Sequence, residues 1–228
     1  MILMMYGLSE LLNQSYAVLS LAAGCVIFIG FLFHELKVPQ AILPIRLLME
    51  NREFSLSNLT AMLNYSSTFT ISFLLSIYLQ SILGLSSREA GLLLLVQPVM
   101  MAALSPQAGK LSDRHSAAKL TLLGMGIITF GLLGFTLTVH LRSLWLLIPA
   151  LVIVGIGFAF FAAPNNNAIM SSVPKKYYGL AASMLSTVRL VGQVVSIAIV
   201  TLLLSIDWSW LAEIDSIVRN IELSFLVF

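Results

Sequence analysis

Charged residues are scarce in this chain. Only 10% of its 228 residues are Asp, Glu, Lys or Arg, whereas 59% are apolar and the mean hydropathy is +0.98. A soluble domain of average composition carries about 25% charged residues, which its water-facing surface requires. The composition therefore excludes an ordinary soluble domain and a disordered chain, and it indicates an integral membrane protein.

Basic clusters, cysteine pairs and catalytic motifs are also lacking. The net charge is +2 without a basic block, which argues against nucleic-acid binding, and the single Cys25 cannot form an internal disulfide. The sequence shows no phosphate-binding loop, no paired carboxylates and no nucleophile beside a base. We therefore expect no catalytic residue, no metal site and no cofactor, and we do not expect an enzyme.

Long apolar runs are what the sequence does contain. A helix needs about 20 apolar residues to cross a bilayer. Within the runs described here, Arg189 is the only charged residue. The pattern predicts an all-α, polytopic bundle of about six transmembrane helices, at 16–33, 57–80, 91–108, 120–139, 143–163 and 179–206.

The basic residues indicate how the bundle is oriented, because short cytoplasmic loops of membrane proteins are enriched in Lys and Arg. Of the twelve Lys and Arg residues, eight fall in the alternate loops 34–56, 109–119 and 164–178, three fall in the other set, and Arg189 lies within a span. We therefore expect a multi-pass protein of the plasma membrane with those three loops in the cytoplasm.

One of these loops carries a motif. Residues 106–119 read PQAGKLSDRHSAAK, with Gly109, Asp113 and Arg114 at its core. Glycine permits a tight turn at the membrane surface, and Asp113 is placed to cap a helix N-terminus. An ordinary positively charged loop could share some of these features. The segments 78–98 and 163–193 on either side are therefore needed to tell the motif from such a loop.

Together these segments resemble the major facilitator superfamily, and within it the C-terminal half of the fourteen-helix drug:proton antiporter branch, the EmrB/QacA-like exporters. The resemblance implies that residues 1–56 hold the tail of one linker helix, a second linker helix and a cytoplasmic connector. It implies that residues 57–228 are a C-terminal transmembrane half with its last helix truncated. Asn165, Asn166 and Asn167 stand where the family often has an acidic residue, so a weaker charge relay in the loop is expected.

Polar residues recur every four positions along the span 57–80. They are Asn64, Thr68, Ser72, Ser76 and Gln80. Each step of four advances about 40° around a helix, so the stripe winds slowly over one side. Such a stripe is typical of a helix that lines a substrate cavity, and equally of helices joined by hydrogen bonds in a packed bundle.

In the span 91–108, Gln97 precedes Pro98, and we expect a kink there, with Gln97 capping the defect or reaching the cavity.

The span 179–206 holds the strongest candidate for a functional residue. Ser186, Arg189 and Gln193 lie on one face, and Arg189 is about 15 Å beyond the cytoplasmic end of the span. A guanidinium at this depth needs water, carbonyls or an acid around it. A binding function is the leading hypothesis, and a structural function, in which Arg189 ties its helix to carbonyls of a neighbouring helix, is the alternative.

Several glycines, among them Gly124, Gly126 and Gly155, predict close helix packing.

The predicted function is secondary active transport, with proton-driven export of small amphipathic or cationic molecules by alternating access. No predicted span contains an Asp or Glu, so the proton-binding acid is expected in a missing N-terminal half. The expected partners are therefore the lipid bilayer, the substrate, the proton and that missing half, with no nucleic acid. The alternatives are a facilitator for another metabolite, and an inactive or interaction-only fragment of a transporter.

Overall fold

The computed structural model describes residues 45–204 and 213–228, together with Ala23, Val26 and Gly30. The predicted span 16–33 and most of the segment 1–56 lie outside the described residues. Within the described ranges every regular element is helical, which confirms the all-α fold class. The α-helices are α1 (Ile45–Glu50), α2 (Arg52–Ile77), α3 (Ser87–Leu94), α4 (Val96–Ser112), α5 (Ala117–Leu141), α6 (Leu144–Ser171), α7 (Tyr178–Leu204) and α8 (Glu213–Val227).

Four helical segments are long and apolar enough to cross a membrane. They are Ser87–Ser112, which joins α3 to α4, the helices α5 and α6, and Lys175–Leu204, which contains a short 3₁₀ turn and α7. They correspond to four of the predicted spans. The predicted span 57–80 is also helical, as α2 and the π-helical turn Tyr78–Ile82 that follows it. It is not among the four, because its polar stripe lowers its hydropathy.

The helix α6 lies at the centre of the bundle. It packs along α5 on one side and along α4 on another, and it also contacts α2. The helix α2 in turn packs along α7, and α8 contacts α5 and α7. The larger apolar core joins these helices through buried residues such as Leu75, Phe135, Leu151 and Phe158. A smaller cluster around Phe54, Ile169 and Leu185 joins α2, α6 and α7.

Glycines allow the helix backbones to approach one another closely. A Cβ atom on Gly124 of α5 would lie 2.6 Å from the backbone nitrogen of Phe161, and one on Gly155 of α6 would lie 2.7 Å from the carbonyl oxygen of Gln97. The predicted close packing is therefore confirmed at these two positions. It is wrong at Gly126, where a Cβ atom would have nothing within 4 Å, because this residue faces outward from the bundle.

Two boundaries differ from the prediction. Gly109 does not form the turn after α4: it lies in the last turn of the helix, and the chain turns at residues 113–116. The helix α6 continues past Pro164 to Ser171, so residues 165–167 are helical and do not belong to a loop. Both errors have the same cause, because glycine, proline and polar residues also occur within the ends of long membrane helices.

Asn51 joins two helix ends on the side where α2 begins. Its side-chain oxygen accepts a hydrogen bond from the Phe54 amide at 3.0 Å, and its Nδ2 donates to the Ser172 carbonyl at 2.6 Å, just after α6. We expect Asn51→Ala to lower the free energy of unfolding by about 1–3 kcal/mol, because it removes both the helix cap and the bridge. Asn51→Asp keeps an acceptor for the cap but loses the donor, so it should cost less.

Thermal unfolding of the purified chain in detergent micelles measures both variants. An equal effect of Asn51→Ala and Asn51→Asp would show that only the bridge to Ser172 contributes. No effect of either would contradict the prediction.

Candidate functional site

Arg189 lies where three helices meet. It is eleven residues into α7, and its Nη2 donates a hydrogen bond to Oδ1 of Asn166 on α6 at 3.2 Å. Its guanidinium carbon lies 4.7 Å from the centre of the Tyr65 ring on α2. A cation over the face of an aromatic ring is attracted by the negative charge of that face. The side chain therefore contacts one amide and one aromatic ring, on two different helices.

The Tyr65 ring is itself held in place. It packs edge-on against Phe161 of α6, with ring centres 6.5 Å apart and planes at 80°. Edge-to-face pairs of this kind are favourable because the positive ring edge meets the negative ring face. The packing between α2 and α6 therefore orients the surface on which the guanidinium lies.

The charge of Arg189 is not neutralised among the described residues. Its Nε atom is buried and has no hydrogen-bond partner there, and no carboxylate of those residues is within ion-pair distance. The structural alternative for Arg189 is supported in part, because the side chain does tie α7 to α6. The tie is to the Asn166 side chain, however, and not to a backbone carbonyl.

The other predicted residues of α7 have different surroundings. Ser186 is exposed, and its hydroxyl donates to the Ala182 carbonyl within the same helix. Gln193 is half-buried. Further along α7, Ser196 is buried and its hydroxyl is hydrogen bonded to the hydroxyl of Thr70 on α2. The polar face of α7 is therefore exposed at Ser186 and forms a helix–helix contact at Ser196.

The predicted stripe on α2 divides into three parts. Asn64 is buried and its Oδ1 has no partner among the described residues, whereas Thr68 donates to the Asn64 carbonyl. Ser72 is exposed. Gln80 forms a chain of hydrogen bonds: its Nε2 donates to Ser76 Oγ at 2.8 Å, and its Oε1 accepts from Ser87 Oγ at 2.9 Å.

Gln97 lies beside the break between α3 and α4. Pro98 has no N–H to donate to the Leu94 carbonyl, and regular α-helix is interrupted at Leu95. Gln97 is buried, and its backbone carbonyl packs on Gly155 of α6. The regular helix is therefore interrupted near the predicted kink, and Gln97 lies at the contact between α4 and α6.

Two clefts lie between α2 and α5. The larger, about 550 Å³, is lined by Arg52, Ser57, Thr121 and Asn165 among others. The smaller, about 340 Å³, is lined by Asn64, Ser67 and Thr129 together with apolar side chains. Of the predicted cavity residues, Asn64 alone lines either cleft. Arg189 lines neither cleft. Its contacts with Tyr65 and Asn166 therefore form a separate site, where α7 packs against α2 and α6.

The loop motif is joined to α6 by a hydrogen bond. Asn167 Nδ2 donates to Ser112 Oγ at 2.5 Å, immediately before Asp113. Asp113 and Arg114 are exposed and have no ion-pair partner in the described part of the chain. Asp113 does not cap α5, whose N-cap residue is Ser116. An asparagine thus joins the loop to α6 in the region where the resembling family often has an acid.

Tyr65 was not predicted from the sequence as a site residue, and Asn166 was predicted to lie in a loop. A tyrosine in an apolar helix carries no signal of a cation partner, because its partner is more than one hundred residues away. One signal was available for Asn166: it belongs to a run of three polar residues that closely follows a long apolar run.

Comparisons with known proteins identify relatives of the chain. Residues 58–218 match the family model of the Major Facilitator Superfamily. The chain is 35% identical to riboflavin transporter RibZ of Clostridioides difficile over 72% of its length, and 36% identical to the uncharacterized transporter YebQ of Escherichia coli over 79%. It is 25% identical to multidrug resistance protein Stp of Mycobacterium tuberculosis over 84%. The aligned parts cover 36%, 39% and 34% of these relatives, so the chain spans well under half of their length.

Proposed function

The chain belongs to the Major Facilitator Superfamily, and from this membership we propose that it is part of a secondary active transporter that exports small amphipathic molecules in exchange for protons. The family points to a transporter in the membrane rather than to an enzyme. The finer assignment, to the fourteen-helix EmrB/QacA-like branch, is supported by similarity to a multidrug resistance protein and by the motif at 106–119.

The observation that carries the proposal is the position of Arg189. A charged residue deep within a membrane helix is costly and usually marks a substrate or ion pathway. Here the guanidinium contacts Tyr65 on α2 and Asn166 on α6. A ligand bound at this site would contact three helices at once, and movement of any of them would alter the site. Alternating access requires a site with this property.

Proton coupling needs an acid that gains and loses a proton inside the bundle. The predicted spans contain no Asp or Glu, so we propose that the acid belongs to a second set of helices with which this chain works. DNA upstream of the coding sequence should then encode about eight further helices with an embedded Asp or Glu. We further propose a plasma-membrane location with the loops around 109–119 and 164–178 in the cytoplasm.

Transport assays in everted membrane vesicles test this function. The chain is produced alone and together with the upstream helices, and uptake of two dyes, ethidium and fluorescein, is followed while respiration acidifies the vesicle lumen. We expect uptake of at least one dye only with both parts present, and its loss when a protonophore collapses the gradient. Uptake that persists without a gradient would indicate a facilitator, and no uptake in either case would indicate an inactive or interaction-only fragment.

A second candidate function is transport of a defined metabolite, favoured by the 35% identity to riboflavin transporter RibZ. The same vesicles distinguish it from multidrug export. Inhibition of dye uptake by excess riboflavin, together with riboflavin uptake at lower concentrations than either dye, would support the metabolite transporter.

A further inference from the structure

The donors of the Arg189 guanidinium are only partly used. A guanidinium has five N–H groups arranged as a planar fork. One Nη2 hydrogen is directed to Asn166, at 3.2 Å. The Nε–H is buried and unpaired among the described residues. A buried donor without an acceptor is unfavourable, so the hydrogen-bonding capacity of the guanidinium is not fully used by the described residues.

The site also provides an aromatic surface beside this charge. The Tyr65 ring lies against the guanidinium, and the Phe161 ring packs nearly at right angles to it. Both Tyr65 and Arg189 are half-buried, and the exposed Ser186 lies one turn away on α7. A ligand with a flat ring can therefore lie along the partly open aromatic surface while an oxygen atom reaches the guanidinium.

The charge of the preferred ligand follows from the same contacts. Asn166 and Tyr65 are neutral contacts, so neither of them cancels the positive charge of Arg189. A cationic ligand would be repelled at this site, whereas a carboxylate or sulfonate would accept two parallel hydrogen bonds from the fork.

We propose that the cluster of Tyr65, Asn166 and Arg189 is a binding site for planar aromatic anions, with the ring beside Tyr65 and the anionic oxygens on the Arg189 guanidinium. This inference rests on the proposed function for its place in transport, but ligand binding can be measured without transport. It narrows the substrate class, which sequence analysis expected to be amphipathic or cationic, to amphipathic anions.

The test uses two dyes that share a three-ring xanthene core and differ in charge. Fluorescein is anionic and rhodamine 123 is cationic at pH 7.5. Their fluorescence anisotropy is titrated with the purified chain in non-ionic micelles, and empty micelles provide the baseline. We expect the chain to bind fluorescein at least tenfold more tightly than rhodamine 123, and Arg189→Gln to weaken fluorescein binding at least tenfold without weakening rhodamine 123 binding.

Arg88→Gln is the matched control, since it removes the same charge from an exposed residue at the start of α3. It should leave both affinities unchanged. Arg189→Lys keeps the charge but lacks the planar fork, so we expect intermediate fluorescein affinity. Equal or tighter binding of rhodamine 123 by the unmodified chain overturns the proposal without any variant, and so does unchanged fluorescein binding by folded Arg189→Gln. The absence of binding of either dye also overturns it.

The failure of this proposal and that of the proposed function give different results. Energised uptake of ethidium but not fluorescein would leave transport intact and exclude the anion site. Tight, Arg189-dependent binding of fluorescein without energised uptake would leave the anion site intact and exclude proton-driven export.

Discussion

Replacing Gly192 by valine should separate α2 from α7 and destabilise the bundle by about 1–3 kcal/mol or more. A Cβ atom at this position would lie 2.5 Å from the Met62 carbonyl oxygen and 3.3 Å from the Ser66 amide nitrogen. Both are backbone atoms of α2 and cannot rotate away, so the helices themselves have to move. The displacement would also pull Arg189, one turn earlier on α7, away from Tyr65.

Thermal unfolding of the purified chain in micelles measures this effect, and we expect a lower Tm together with weaker binding of fluorescein. Gly126→Val is the matched control, because Gly126 is also within a helix but a Cβ atom there meets nothing within 4 Å. Both variants introduce the same β-branched side chain, so the difference between them isolates the helix contact. Equal Tm values would mean that the close approach of α2 and α7 does not contribute to stability.

Replacing Asn166 by aspartate should pair the Arg189 charge internally and close the site to anions. The amide oxygen of Asn166 already accepts a bond from Nη2 at 3.2 Å, so a carboxylate in its place would form a charge-assisted hydrogen bond. Bonds of this kind contribute about 1.5–3 kcal/mol, more than neutral ones. We expect a higher Tm and at least a tenfold loss of fluorescein binding.

Asn166→Ala is the informative comparison. It removes the same hydrogen bond without adding charge, so the guanidinium stays positive and available. Fluorescein binding should therefore weaken far less than in Asn166→Asp, and the Tm should fall slightly. If Asn166→Asp bound fluorescein as tightly as the unmodified chain, the Arg189 guanidinium would not be the group that holds the anion.

The helices of this protein are predictable because the signal for them is local. A run such as 120–139 has apolar residues and no charge, and these residues in sequence order are sufficient to predict a helix that crosses a membrane. The break before Pro98 is predictable for the same reason, since proline removes a hydrogen bond within its own helix. The end of α6 is less predictable: residues 165–167 have a loop-like composition but are helical, because the buried Ile169 beyond them packs against α2 and α7 and stabilises the last turns.

The arrangement around Arg189 depends instead on how the helices pack. The sequence by itself determined that the chain is a membrane protein, that the described apolar segments are helical and that Arg189 alone is charged within the predicted spans. The position of Arg189 within its span follows from its distance along the helix, which is a local property. Only the tertiary structure decided that Tyr65 and Asn166 are its partners, because these residues lie on other helices.

The consequences of scarce charge are also determined partly by the sequence and partly by the tertiary structure. Hydropathy acts on each segment separately, and it determines that the segments lie in the membrane. Contacts between helices depend on the rotation of each helix about its axis, which the close approach at Gly192 and the core packing set together. A cation beside an aromatic ring, without a carboxylate partner among the described residues, results from that rotation, and composition alone does not encode it.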